Sequence, residues 1–174
     1  RGLGDVYKRQ GGTPSRVNNV EFITFSSTGN GQNFGDLTVA RSGGGQMGLS
    51  NQTRGVFGDG TTPSNNNVID FVTIASTGNA KDFGDVKSNE GSKSSFASPT
   101  RGIMAGGQPG TTPIEFVTIA STGNAQEFGD LTNGLSGGQS YAYSGATQVR
   151  GTVMGGLDQP GSPLASRSTV ETMC

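Results

Sequence analysis

Three nearly identical stretches of sequence constrain this chain more than any other feature. They are VEFITFSSTGNGQNFGDL (20–37), IDFVTIASTGNAKDFGDV (69–86) and IEFVTIASTGNAQEFGDL (114–131). Two shorter motifs recur in step with them: Phe-Gly-Asp begins at Phe34, Phe83 and Phe128, and Arg-Gly begins at Arg54, Arg101 and Arg150. The period is therefore 45–49 residues, which is typical of an array of structural repeats.

Each repeat divides into four short candidate strands. Taking one repeat as the example, they lie at the Arg-Gly block (54–60), VIDFVTIAS (68–76), KDFGDV (81–86) and SKSSFASPT (92–100). The second strand is apolar on both faces, which predicts a sheet packed between neighbouring sheets. The Ser-Thr-Gly-Asn sequence that follows it predicts a hairpin turn, because Gly78 and Asn79 tolerate positive φ.

The composition favours a turn-rich β protein over a disordered one. Glycine accounts for 31 of 174 residues and hydrophobic residues for only 30%, but the net charge is −1 and β-branched residues recur in blocks. The chain has no histidine, which excludes Ser-His-Asp triads and zinc sites that contain histidine. We predict a non-enzymatic chain with no cofactor and no metal.

Charge and hydropathy exclude two further classes of partner. Basic residues are scattered, so we predict no nucleic-acid surface, and no apolar stretch is long enough for a membrane span. The single cysteine, Cys174, excludes an internal disulfide framework. These features leave the localisation open.

The order of motifs resembles kelch repeats, the blades of one class of β-propeller. MAGG (104–107), EFVTIASTGN (115–124), Phe128 and Arg150 follow one another as the Gly-Gly, strand and turn, aromatic residue and arginine do in kelch units. Phe83 and Phe128 stand where kelch repeats usually have Trp. The resemblance implies an all-β fold of four-stranded antiparallel blades, with about three and a half blades forming an incomplete propeller.

The amino-acid sequence of the repeats also resembles repeat regions in structural and tail-associated proteins of marine phages. This resemblance covers about residues 11–174 and implies a virion or extracellular surface location. It further implies a structural or binding module whose loops, for example 58–67 and 156–167, recognise a surface glycan or another virion protein. Unsealed blade edges would also allow self-association.

The repeat register gives the expected boundaries. Residues 1–10 contain the dense charge cluster DVYKRQ where an Arg-Gly block should fall, so we predict a non-native leader that replaces the start of a blade. The alternative is natural divergence of an end repeat. The repeat array is predicted over 11–174, with units at 11–53, 54–100, 101–149 and a partial unit at 150–174.

Several recurring residues are candidate sites, and for most a structural role is favoured. Asp36, Asp85 and Asp130 could form a cation-binding ring, but one carboxylate per blade favours hydrogen bonding to turn N–H groups. The three recurring arginines could bind an acidic glycan or protein, but a role in linking neighbouring blades is favoured.

The remaining motifs point to loops and core more than to ligands. GDGTTPSNNN (58–67) lacks the Asp and Glu spacing of a calcium loop, and we predict a loop that connects blades. SGGGQ (42–46) and SGGQ (136–139) lack the lysine and helix of a phosphate loop. Tyr141 and Tyr143 could stack on a sugar, although alignment of Tyr143 with Leu49 and Phe96 favours the core for at least one.

Two other classes of protein remain as alternatives. One is a fragment of a propeller hydrolase or oxidase, against which the near-identity of the repeats argues, because an active site needs one blade to differ. The other is a β-solenoid fibre segment, whose coils are usually much shorter than this period. The repeats and motifs do not identify the residues of a binding site.

Overall fold

A computed structural model of the chain describes residues 6–7, 16–41, 47–62, 64–91, 93–107, 111–135, 142–155 and 170–173. Every regular element in these ranges is a β-strand. The first sheet contains β1 (Val6–Tyr7), β2 (Val17–Phe22) and β3 (Gln32–Arg41). The second contains β4 (Met47–Ser50), β5 (Arg54–Gly58), β8 (Val68–Thr73) and β9 (Lys81–Asp85), and between β5 and β8 the strands β6 (Thr61–Thr62) and β7 (Ser64–Asn65) pair with each other as a separate small hairpin. The other two contain β10 (Ser94–Ala97), β11 (Arg101–Ala105), β12 (Thr111–Thr118) and β13 (Gln126–Leu135), then β14 (Ala142–Ala146), β15 (Gly151–Gly155) and β16 (Val170–Met173).

The sheets are antiparallel and are joined in chain order. The second sheet has the order β4-β5-β8-β9 and the third has β10-β11-β12-β13, whereas the first and fourth each have three strands. The predicted all-β class and four-stranded antiparallel sheets are therefore confirmed, and the sheets form an unclosed, propeller-like series.

The second, third and fourth sheets each begin one strand before their Arg-Gly block. Residues 47–50 pair with 54–58, and residues 94–97 pair with 101–105. A sheet therefore takes its first strand from the end of one sequence unit and the others from the next unit. Within the predicted leader, Val6 and Tyr7 pair with Phe22 and Glu21 at the position of an Arg-Gly strand.

The apolar core lies between neighbouring sheets, so every interface has its own cluster. Between the second and third sheets, for example, Ile69 and Phe83 pack in one cluster with Met104 and Val117. The predicted burial of the repeated second strand is confirmed for Ile114, Val117 and Ile119, whereas Phe116 is half-buried and Ala120 is exposed. Sheet-on-sheet packing of this kind stabilises the series by removing apolar area from water.

A main-chain interaction, which we call the latch, joins successive sheets. The N–H groups of Gly78 and Ala80, in the turn between β8 and β9, donate to the carbonyls of Phe34 and Asp36 in the first sheet, both at 2.8 Å. The Asp36 N–H in turn donates to the side-chain oxygen of Asn79 at 3.1 Å. A short polar turn thus fastens one sheet to the Phe-Gly-Asp segment of the sheet before it.

The same latch recurs one repeat later with the equivalent atoms. Gly123 N–H donates to Phe83 at 2.7 Å, Ala125 N–H donates to Asp85 at 2.8 Å, and Asn124 accepts from the Asp85 N–H at 3.1 Å. The predicted positive φ is confirmed at Gly78 and Gly123. It is wrong for Asn79, whose contribution is its side-chain carbonyl.

The Arg-Gly glycines provide a second repeated contact, near the first strands of the sheets. A Cβ on Gly102 would lie 2.3 Å from Leu49, and one on Gly151 would lie 1.9 Å from Phe96. The bulky residue of one first strand therefore fills the space over the glycine of the next sheet. This contact accounts for the glycine in the second and third Arg-Gly copies, whereas a Cβ on Gly55 would lie nearest to Val72 of its own sheet, at 3.3 Å.

One interface also contains a buried ion pair. Arg41 and Asp70 are fully buried and pair with each other across the first and second sheets. Arg41 also donates to the Val68 carbonyl at 2.7 Å. Burial lowers the pKa of the Arg41 guanidinium, and the charge of Asp70 opposes that shift.

Replacing a latch glycine tests how much the latch contributes to stability. A Cβ on Gly84 would lie 2.5 Å from the Gly123 carbonyl oxygen, whereas one on Gly129, at a similar φ, meets nothing within 4 Å. We expect Gly84→Ala to lower the free energy of unfolding by about 1–3 kcal/mol more than Gly129→Ala, because only Gly84 is overpacked. Urea denaturation of both variants measures the difference, and equal losses would show that the latch does not hold the sheets together.

Removing the buried carboxylate charge tests the ion pair. Asp70→Asn leaves the Arg41 guanidinium buried without its counter-ion, so we expect the free energy of unfolding to fall by about 3–5 kcal/mol. The control is Glu127→Gln in the exposed Lys87–Glu127 pair, for which no measurable loss is expected because solvent screens that pair. Similar melting temperatures for the two variants would contradict this account.

Candidate functional site

A broad concave surface lies where three equivalent hairpins converge. It is a depression of about 890 Å³ at the ends of the second, third and fourth sheets. Its lining residues come from the turns between the first two strands of each sheet, together with Ile74: Ser50, Asn51, Gln52, Ala97, Ser98, Pro99, Ala146, Thr147 and Gln148.

Each hairpin is built in the same way by a short polar side chain. Asn51 Oδ1 accepts from the N–H groups of Thr53 and Arg54 at 2.9 and 2.8 Å. In the third sheet Ser98 Oγ accepts from the Arg101 N–H at 3.1 Å, and in the fourth Thr147 Oγ1 accepts from the Arg150 N–H at 3.1 Å. These Asx- and ST-type turns fix the backbone of the hairpins.

The three hairpins share the same type of capping hydrogen bond but differ in the residues at their tips. The residues after the capping side chain are Gln52-Thr53, Pro99-Thr100 and Gln148-Val149. Gln52 and Gln148 are exposed, and neither amide has a hydrogen bond within the described residues. The three hairpins therefore share one backbone frame. At their tips, the second and fourth sheets present a glutamine amide with no hydrogen bond to the described residues, and the third sheet presents a proline.

The lining is electrically neutral. Its polar groups are amides and hydroxyls, and its apolar contribution comes from Ile74, Ala97, Pro99 and Ala146. Amides offer both a donor and an acceptor, so such a surface is suited to a neutral ligand that carries hydroxyl groups.

The recurring arginines differ in their surroundings: Arg54 lies between two sheets, whereas Arg101 and Arg150 are exposed. Arg54 stacks on the Phe71 ring, with 4.7 Å from the guanidinium carbon to the ring centroid, and donates to the Ile119 carbonyl of the next sheet at 3.0 Å. This contact confirms the predicted linking role for Arg54. Arg101 stacks on Phe116 at 4.8 Å and is exposed, as is Arg150.

Two of the recurring aspartates, Asp36 and Asp85, contribute through their main chains. The N–H and carbonyl groups of Asp36 and Asp85 make the latch bonds, whereas the prediction assigned this contribution to the carboxylates. Asp130 accepts from the Thr112 hydroxyl at 3.1 Å. Within the described residues, no three acidic or cysteine side chains are grouped so as to hold a metal ion.

The segment 58–67 lies at the other end of the strands and is tied into the fold. It joins β5 to β8 within one sheet, so the prediction of a loop connecting two blades is wrong. Asp59 is buried at positive φ, and its carboxylate accepts from the Lys93 N–H at 3.0 Å. The described residues do not include three segments named in the sequence analysis, 42–46, 136–139 and 156–167, or the side chains of Tyr141 and Tyr143.

Sequence reasoning missed the buried charged residues and the hairpin tips. Asp70 is the one charged residue of the apolar strand VIDFVT, which is a signal that could have identified it, whereas Arg41 ends a strand that also carries Asp36 and offers no such signal. Glu115, at the position of Asp70 in the next repeat, is also buried and accepts from the Ser88 N–H at 2.6 Å. No sequence signal identifies Gln52 and Gln148, because the repeat pattern does not show that these two side chains line the same surface.

In comparisons with known proteins, no family model and no curated protein matches this chain. In the part of the chain that the structure describes, no helix has the length and apolarity needed to cross a membrane.

The two arginine positions supply a matched test of the interface role. Arg54→Ala removes a charged hydrogen bond as well as stacking, so we expect a loss of about 1.5–3 kcal/mol in unfolding free energy. Arg101→Ala removes stacking alone, and we expect about 0.5–1 kcal/mol. Chemical denaturation of the two variants gives the comparison, and a larger loss for Arg101→Ala would reverse the assignment.

Proposed function

We propose that this chain is a non-enzymatic binding module of kelch-like blades, part of a virion-associated or surface-exposed protein, and that its depression binds a neutral glycan. The observation that carries the proposal is the convergence of three equivalent hairpins, with differing tips, on one neutral polar surface. A rigid β scaffold that presents variable turns is a common basis for recognition.

The chemistry of the lining supports a glycan more than a charged ligand. Sugar hydroxyls donate and accept hydrogen bonds, and the free amides of Gln52 and Gln148 can do the same. Ile74 and Pro99 add apolar surface for the C–H faces of a sugar ring. A charged ligand would find no formal countercharge in the lining described.

The lining also favours binding over catalysis. Among the described residues that form the depression, none is a carboxylate, lysine, tyrosine or cysteine. General acid–base chemistry needs such a group close to the substrate, and the hydroxyls of Ser50, Ser98 and Thr147 would need one as a base before they could act as nucleophiles. This composition favours the binding module over the propeller-enzyme alternative.

Glycan binding is tested on the two exposed glutamines. Purified protein is applied to an array of neutral and acidic glycans, and the best neutral ligand is titrated calorimetrically against the parent chain and the double variant Gln52→Ala/Gln148→Ala. Each lost hydrogen bond contributes about 0.5–1.5 kcal/mol, so we expect affinity to fall roughly five- to a hundredfold.

The matched control is Gln32→Ala, which removes an exposed glutamine from β3, away from the depression. It should bind the glycan as the parent does. Absence of any neutral ligand, or equal affinities for the parent and the double variant, would refute the proposal.

A further inference from the structure

The middle hairpin of the depression differs from its two neighbours at one exposed position. The residue after the capping side chain is Gln52 in the second sheet, Pro99 in the third and Gln148 in the fourth. All three side chains are exposed and line the depression. The third sheet lies between the other two, since β10 contacts both β4 and β14. An apolar ring therefore stands between two amides.

The backbone of the hairpin accepts either residue at this position. Neither Gln52 nor Gln148 uses its main-chain N–H in a hydrogen bond within the described residues. A proline at the same place therefore removes no hydrogen bond, and its fixed φ suits a turn. Because the fold is served equally by both residue types, the difference between the tips is available for recognition.

The tip of the middle hairpin has few polar groups to offer a ligand. The nitrogen of Pro99 carries no hydrogen, and its carbonyl already accepts from Asn51 Nδ2 of the second hairpin at 3.4 Å. The hydroxyl of Ser98, next to it, is hydrogen-bonded within its own turn to Thr100 and Arg101. The face that Pro99 presents is thus made of C–H groups.

This face is held in place relative to the neighbouring hairpins. Just below the tips, Leu49 of the second sheet fills the space over Gly102 of the third, and Phe96 of the third fills the space over Gly151 of the fourth. These buried contacts fix the three first strands side by side. Pro99 is therefore preorganised between its two flanking amides, which lowers the entropy lost when a ligand binds.

We propose that one face of a pyranose ring packs on Pro99, and that the ligand class is a pyranoside with equatorial hydroxyls, such as a β-glucoside. This inference rests on the proposed binding of a neutral glycan and names the class of sugar. Equatorial hydroxyls lie around the edge of the ring, where the amides of Gln52 and Gln148 can bond with them, and they leave C–H groups on the faces. An axial hydroxyl would stand on a face, where Pro99 would bury it without a partner.

The test compares two methyl glycosides of the same formula. Methyl β-D-glucopyranoside has every ring hydroxyl equatorial, whereas methyl β-D-gulopyranoside has one axial hydroxyl on each face. Each is titrated into the isotope-labelled full chain while the side-chain amide resonances of Gln52 and Gln148 are followed by NMR. We expect the glucoside to bind roughly five- to a hundredfold more tightly, because the guloside must bury an unpaired hydroxyl on Pro99.

A variant taken from the neighbouring hairpins makes the test specific. Pro99→Gln gives the middle tip the residue that the other two tips carry, so the hairpin should fold as they do. Its amide can bond an axial hydroxyl, so the ratio of the two affinities should fall by roughly two- to tenfold. The matched control is Pro113→Ala, which removes a proline of β12 outside the lining and should leave the ratio unchanged.

The ratio separates recognition from a structural role, because a purely structural Pro99 would change both affinities by the same factor. Equal affinities of the parent for the two glycosides, tighter binding of the guloside, or a ratio that Pro99→Gln leaves unchanged would each overturn the inference. In those cases the proposed function stands, since a neutral glycan still binds. If the glycan array yields no neutral ligand, the inference and the proposed function fail together.

Discussion

The latch between a turn and the preceding Phe-Gly-Asp segment is the interaction on which the rest of the structure depends. Its partners are largely main-chain groups, and the two backbones approach most closely at the glycine of the Phe-Gly-Asp segment, where a Cβ on Gly35 or Gly84 would lie 2.2 or 2.5 Å from the carbonyl oxygen of the incoming turn. A contact of this kind permits little substitution at that glycine, because a side chain there would separate the two backbones. The close repetition of eighteen residues is therefore explained by an interface between copies as well as by the sheet within a copy.

The remainder of each interface is less uniform than the latch. Between the first and second sheets, Asp70 pairs with the buried Arg41. At the same position one repeat later, Glu115 accepts a main-chain N–H from Ser88, and its second carboxylate oxygen is buried without a hydrogen-bond partner in the described residues. The segments that link the sheets differ in length and sequence, so each supplies a different partner to the same carboxylate position. The latch and the apolar clusters therefore maintain the common geometry, while these polar contacts vary.

Much of the fold, but little of the candidate site, could be predicted from the sequence. Periodicity identified the strands, and the two-sided apolar pattern of IEFVTIA identified a strand enclosed between sheets. The latch could not be derived, because it pairs atoms about forty residues apart that have no side-chain signature, such as Gly78 N–H and the Phe34 carbonyl. Gln52 and Gln148 could not be recognised either, since their proximity depends on the arrangement of three sheets and not on any local pattern.

The turn that forms the latch also contributes to the depression. Ile74, at the start of the turn between β8 and β9, lines the depression and donates its N–H to the Thr53 carbonyl of the adjoining hairpin at 2.9 Å. The same turn joins the second sheet to the Phe-Gly-Asp segment of the first through the N–H groups of Gly78 and Ala80. The contacts that hold two neighbouring sheets together therefore also fix one wall of the surface proposed to bind a glycan.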